Sequence, residues 1–144
     1  MIVSIDIVPD VIIYNPSPSI PRGFYARDSG APVRGAIVSV RAVDVAARYA
    51  RLRNFTDLND RFIKRVAAME GDTVCADADV VTVNGERRVR RAFQDSAGRT
   101  LPTWTGCRTL RDEVFLLGDT PDSFDGRYWG PTSVELIEGA WRAI

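Results

Sequence analysis

A mainly β fold, built of short antiparallel strands with one or two short helices, is predicted from three observations. Short runs rich in β-branched and aromatic residues recur along the chain, separated by Gly, Pro, Asn and Asp. Asn84-Gly85 stands between two such runs, and this dipeptide is the strongest short hairpin signal a sequence offers. Only the stretch 44–55 places apolar residues (Val45, Tyr49, Leu52) at helical spacing among good helix formers.

Taken in order, residues 2–8 and 11–14 alternate and read as one or two strands, followed by the proline-rich turn NPSPSIPRG (15–23). Arg34-Gly35 leads into a strand-like run, AIVSVRAV (36–43), and then the helical stretch, read as a short surface helix or lid. RFIKRVAAMEGDTVC (61–75) reads as strand, turn at Glu70-Gly71-Asp72, and strand. VVTVNGERRVRRAF (80–93) is the hairpin, DSAGRTLP (95–102) a loop, and EVFLLGD (113–119) a strand entering a turn. PDSFDGRYWGP (121–131) reads as glycine-rich loop, and ELIEGAWRAI (135–144) as a closing strand. With no repeats, linkers or low-complexity tracts, residues 1–144 form one domain large enough to bury a core.

Charge excludes some functions. The formal net charge is zero, and no basic stripe with interleaved aromatics argues for nucleic acid. The one dense positive run, ERRVRR (86–91), reads as a solvated strand face or hairpin. No stretch approaches the roughly 18–20 apolar residues of a membrane span, so the chain as written reads as soluble. Cys75 and Cys107 are too few and too far apart for a zinc site, and by composition they are either a disulfide or two unrelated buried thiols. No metal and no cofactor is expected: the acidic loop 118–131 lacks the spacing of an EF-hand.

Two counts bear on chemistry. The chain has no histidine, and of its 19 basic residues the only lysine is Lys64. Without histidine a Ser-His-Asp or Cys-His arrangement within the chain is impossible, and a serine nucleophile would need neutral lysine as its base. In Phe62-Ile63-Lys64-Arg65-Val66, strand alternation puts Lys64 on the face of Phe62 and Val66, with Arg65 on the other. One of these two cations therefore lies against the apolar interior. A buried ammonium escapes its desolvation by losing its proton, and to be half neutral near pH 7.5 a lysine must fall by roughly three pH units, about 4 kcal/mol. Arginine cannot do this. The alternative is that Lys64 carries its ammonium along its stem to solvent. A third constellation, GDTPDSFDGRYWGP (118–131), combines Asp119, Asp122, Asp125, Ser123 and Arg127. It is compatible with a locally capped turn or with a loop that orients another group.

Together these stretches resemble the type I signal peptidase family of serine-lysine proteases, and within it the conjugative-transfer peptidases of the TraF type. SPSIPRG resembles the family's nucleophile box, RGAIVSV its glycine-led strand box, FIKRVAAMEGD its lysine box, and LLGDTPDSFDGRYWGP its final box. The four follow one another in family order over residues 15–131. The short spacing Ser19-Ile20-Pro21 and the insertion 44–55 are closer to the TraF type than to other signal peptidases.

The resemblance implies a signal-peptidase or LexA-like β-fold and a serine endopeptidase. Residue by residue, it makes Ser19 the nucleophile and Lys64 the general base. The Ser17 hydroxyl joins the Ser19 N–H in the oxyanion hole, Ser123 orients the lysine, and Asp125, an essential third residue in this branch, pairs with Arg127. It further implies a translocated precursor as substrate, a conjugative pilin, with hydrolysis or cyclisation to follow. The setting is the periplasmic face of the bacterial inner membrane. The family's N-terminal membrane helix is not visible in this sequence, so the expectation is a catalytic domain held by an anchor outside it. That compartment favours a Cys75–Cys107 disulfide. Two rival expectations are a self-cleaving LexA-like Ser-Lys protease and a non-catalytic pilus-assembly domain on the same fold.

Overall fold

The computed structural model describes residues 11–52 and 60–144. The strand read over 2–8 and the end of the helical stretch, 53–55, lie outside the described residues. Eleven strands in the described residues form two antiparallel sheets. They are β1 (Ile12–Asn15), β2 (Gly23–Asp28), β3 (Ile37–Arg41), β4 (Arg61–Ala68), β5 (Thr73–Asp77), β6 (Val80–Val83), β7 (Arg87–Arg90), β8 (Gly106–Thr109), β9 (Glu113–Leu117), β10 (Thr132–Ser133) and β11 (Ile137–Ala143). The large sheet runs β1-β2-β11-β3-β4-β9-β10, and the small one β7-β6-β5-β8. The fold is mainly β, as the sequence predicts.

Most strands follow from pattern. β4 alternates, with Phe62 and Lys64 opposite Val40 and Val38 of β3, Val66 opposite Leu116 of β9, and Ile63 on the reverse face, until a register shift between Val66 and Ala68. β9 is apolar without alternation because it is covered on both sides. Val114 and Leu116 join the core over the large sheet, while Phe115 and Leu117 join that of the small sheet with Val74, Val81 and Val83.

The structure corrects the sequence reading in several places. The run read as strand over 36–43 leaves the sheet at Arg41, and the helical stretch forms two turns, α1 (Ala42–Val45) and α2 (Ala47–Leu52). Ala46, at φ −148° and ψ 53°, breaks them, and packing of Ala46 and Tyr49 with Leu101 and Tyr128 overrides propensity. The loop 121–131 contains a helical turn, α3 (Gly126–Trp129), because the Asp125 side chain caps the Arg127 N–H and Gly130 ends the turn at φ 81°. β8 is exposed throughout and so carries no hydrophobic period that a sequence reading could detect. β2 likewise has no strong run, and is held between β1 and β11.

Cys75 of β5 stands directly opposite Cys107 of β8 and the two form a disulfide. In the run 86–91, Arg87, Arg88 and Arg90 are exposed on the edge strand β7, but Arg91 is buried. Its guanidinium donates to the carbonyls of Ala78, Trp104 and Arg127, joining the small sheet to α3. Among the described residues no helix is long and apolar enough to cross a membrane.

Candidate active site

The site forms where three segments far apart in sequence meet. Ser17 and Ser19 ride on the loop between β1 and β2, Lys64 projects from β4, and Ser123 lies in the loop that leads from β9 to α3. Ser19, Lys64 and Ser123 are buried, while Ser17 lies at the rim. The Lys64 ammonium does not reach solvent along its stem: it donates to Ser19 Oγ at 3.0 Å and Ser123 Oγ at 2.9 Å.

Burial is the main reason that Lys64 is lowered from its ordinary 10.5 to about 8; the Asp125 carboxylate opposes that fall, the Arg127 guanidinium reinforces it, and Asp119 and Asp122 oppose it more weakly. Near pH 8 Nζ is thus divided between an ammonium that donates to both hydroxyls and an amine whose lone pair can accept from one. The two hydroxyls it touches differ in setting. The Ser19 Oγ also lies 3.2 Å from Ser17 Oγ at the open side, and the Ser19 N–H points at Ser17 Oγ, 3.4 Å away. A backbone N–H and a hydroxyl therefore converge beside the Ser19 oxygen. Such a pair is suited to receive a developing oxyanion, and each donor in that role is commonly worth about 3–4 kcal/mol.

Asp125 and Arg127 form the buried layer beneath. Asp125 is wholly buried and accepts from the Gly118 N–H at 2.8 Å, the Arg127 N–H at 3.1 Å, and Arg127 Nε and Nη2 at 2.8 and 3.0 Å. Arg127 in turn donates to the carbonyls of Pro121 and Arg90. A buried ion pair endures only with this degree of satisfaction. Asp125 thus directs its oxygens at the loop backbone and Arg127, and influences Lys64 through its charge.

Five further residues complete the site without a role assigned to them from sequence: Gly118 and Asp119, which lie within the final box, and Arg65, Asn15 and Tyr25. Gly118 must be glycine, since a Cβ there would overlap Ser123 Oγ and lie 3.0 Å from Ser19 Cβ. Asp119 donates its N–H to the Ser19 carbonyl at 2.5 Å and accepts Arg65 Nε and Nη2, both at 2.9 Å. Arg65, on the opposite face of β4 from Lys64, therefore holds the start of the loop whose later residue Ser123 meets Lys64. Asn15 and Tyr25 brace the serine loop. The one available clue was Asn15 itself, since asparagine before proline and serine commonly forms a side-chain-capped turn.

A groove of about 780 Å³ opens onto Ser19 and Lys64, walled by β1, the start of β4 and the 120–124 loop. Among the described residues β1 is an edge strand paired with β2, and Ile12, Ile13, Tyr14 and Asn15 line this groove. Phe62 and Phe124, with ring centroids 5.6 Å apart, form part of its wall.

Comparison with known proteins bears on this geometry. The family described as signal peptidase, peptidase S26, matches residues 6–144. A plasmid transfer protein TraF of Escherichia coli is 32% identical over 149 aligned positions, covering 90% of this chain and 80% of the relative. A second TraF of the same organism is 33% identical over 142 positions, covering 85% and 76%. Among solved structures, a signal peptidase I of Enterococcus faecalis aligns with a TM-score of 0.43 at 24% identity, covering 78% of this chain and 98% of that one.

Proposed function

The chain belongs to the signal peptidase family, peptidase S26, and on that premise we propose that it is a serine endopeptidase working through a Ser19–Lys64 dyad. The observation that carries the proposal is the buried Lys64 Nζ within hydrogen-bond reach of both Ser19 and Ser123. An amine held near pKa 8 is basic enough to accept the serine proton and weak enough to be neutral in part at working pH.

In the proposed cycle the precursor lies extended along the outer edge of β1, adding a strand to the sheet. The neutral Lys64 amine takes the Ser19 proton as Oγ bonds to the scissile carbonyl carbon, while Ser123 accepts a hydrogen bond from Nζ and keeps the lone pair aimed at Ser19. The Ser19 N–H and the Ser17 hydroxyl bind the oxyanion. Collapse of this intermediate breaks the C–N bond, Lys64 returns the proton to the departing amine, and an acyl-enzyme on Ser19 remains. Asp125 and Arg127 fix the loop that presents Ser123.

Water would resolve the acyl-enzyme to products, and an incoming amine would instead form a new peptide bond. The substrate in this proposal is a conjugative pilin precursor, processed at the periplasmic face of the inner membrane; similarity to plasmid transfer proteins supports a role in conjugative transfer. Cleavage of a synthetic precursor peptide by Lys64→Ala tests the dyad. The expected outcome is loss of cleavage with an unchanged circular dichroism spectrum; full activity would refute it.

A further inference from the structure

The loop that carries both serines has an unusual backbone problem. Asn15 pairs with Gly23 at the end of the β1–β2 ladder, and residues 16–22 bulge out from that pair. Pro16, Pro18 and Pro21 have no N–H, so the loop has few donors of its own to satisfy its carbonyls. Asn15 supplies what is missing. The two N–H bonds of its buried Nδ2 are shared among the carbonyls of Ser17 and Ile20, each at 3.0 Å, and of Pro21 at 3.3 Å, while Oδ1 accepts the Ser17 N–H at 3.1 Å. From the other side Tyr25 Oη donates to the Pro21 carbonyl at 2.5 Å, and Ile20 is fully buried against Tyr25, Ile63 and Trp141.

We propose that Asn15 is a positioning residue for the nucleophile: one carboxamide holds the backbone on both sides of Ser19, and so fixes Ser19 Oγ against Lys64 Nζ and Ser17 Oγ beside the Ser19 N–H. This inference rests on the reading of Ser19 as nucleophile. The carboxamide is the group the geometry demands. An aspartate at this position would aim a carboxylate at three carbonyl oxygens, and an alanine would remove the Asn15 partner of the Ser17 and Ile20 carbonyls and of the Ser17 N–H, leaving the Pro21 carbonyl to Tyr25. Neither change touches Ser123, Asp125 or Arg127, which surround the lysine.

The test uses the full chain as Asn15→Ala and Asn15→Asp, with Ser19→Ala as control, on a synthetic precursor peptide. Folded fraction is read from the thermal transition, and kcat is expressed per folded molecule. The expected result is a kcat lowered about 30- to 100-fold in both variants, KM within about threefold of the parent, and an unmoved pH midpoint for kcat/KM. Unchanged kcat in both variants beside an inactive Ser19→Ala would overturn the assignment of Asn15 alone. A loss of activity matched by an equal loss of folded protein in both would also overturn it, leaving Asn15 a purely structural residue. Cleavage by Ser19→Ala would instead overturn the nucleophile reading itself, whatever the Asn15 variants do.

Discussion

The two sheets of this molecule are stabilised in opposite ways. The small sheet is made of neighbours: β5, β6 and β7 are consecutive hairpins, their inner face is an apolar cluster, and a disulfide ties β8 to β5. The large sheet brings together strands distant in sequence, with β11 between β2 and β3 and β9 beside β4, and it buries ionisable groups at the junction. Holding Lys64 near 8 rather than 10.5 costs about 3 kcal/mol of fold stability at neutral pH. The sign follows from proton binding. Between pH 8 and 10.5 the unfolded chain keeps a proton that the folded chain has lost, so this deficit shrinks as pH rises. A module cross-linked by a disulfide thus stands beside one that gives up stability to bury a lysine, and Arg91 and Arg127 are among the ties between them.

The largest break in that comparison is expected at Gly118. An added methyl there must displace Ser123 and crowd Ser19, so Gly118→Ala should lower kcat/KM more than 100-fold, measured by peptide cleavage. Near-parental activity would mean that the close packing of the two serines is unimportant. A smaller effect on catalysis is expected in the other module. Replacing Cys75 and Cys107 together by serine should lower unfolding free energy by about 3–4 kcal/mol, as for a cross-link closing a loop of this length, read by urea denaturation. At a temperature where the variant stays folded, kcat should change less than about threefold. A collapse of kcat in fully folded protein would show that the two sheets act as one unit.

Much of this was legible in the sequence, and the reasons differ by residue. Lys64 could be singled out because histidine was absent and strand alternation set Lys64 and Arg65 on opposite faces of β4. The hairpin at Asn84-Gly85 was readable because both residues take positive φ, which that dipeptide tolerates. The part played by Gly118 was hidden, since its need arises from two side chains at 19 and 123 that only the tertiary fold brings to it. A capped turn at Asn15 could be read from Asn-Pro-Ser, but its hold on the far side of Ser19 was hidden, since the carbonyls of Ile20 and Pro21 leave no mark in sequence. The break at Ala46 and the exposed strand β8 are tertiary outcomes with no local periodic signal.

The central claim is that burial makes Lys64 a base at working pH, and its solitude in the sequence allows a direct measurement. Protein labelled with ¹⁵N in lysine alone gives one side-chain Nζ resonance, whose shift can be followed with pH in the folded state. The expected transition lies near pH 8, and kcat/KM should rise along the same curve. A transition above pH 10 in folded, active protein would contradict the account.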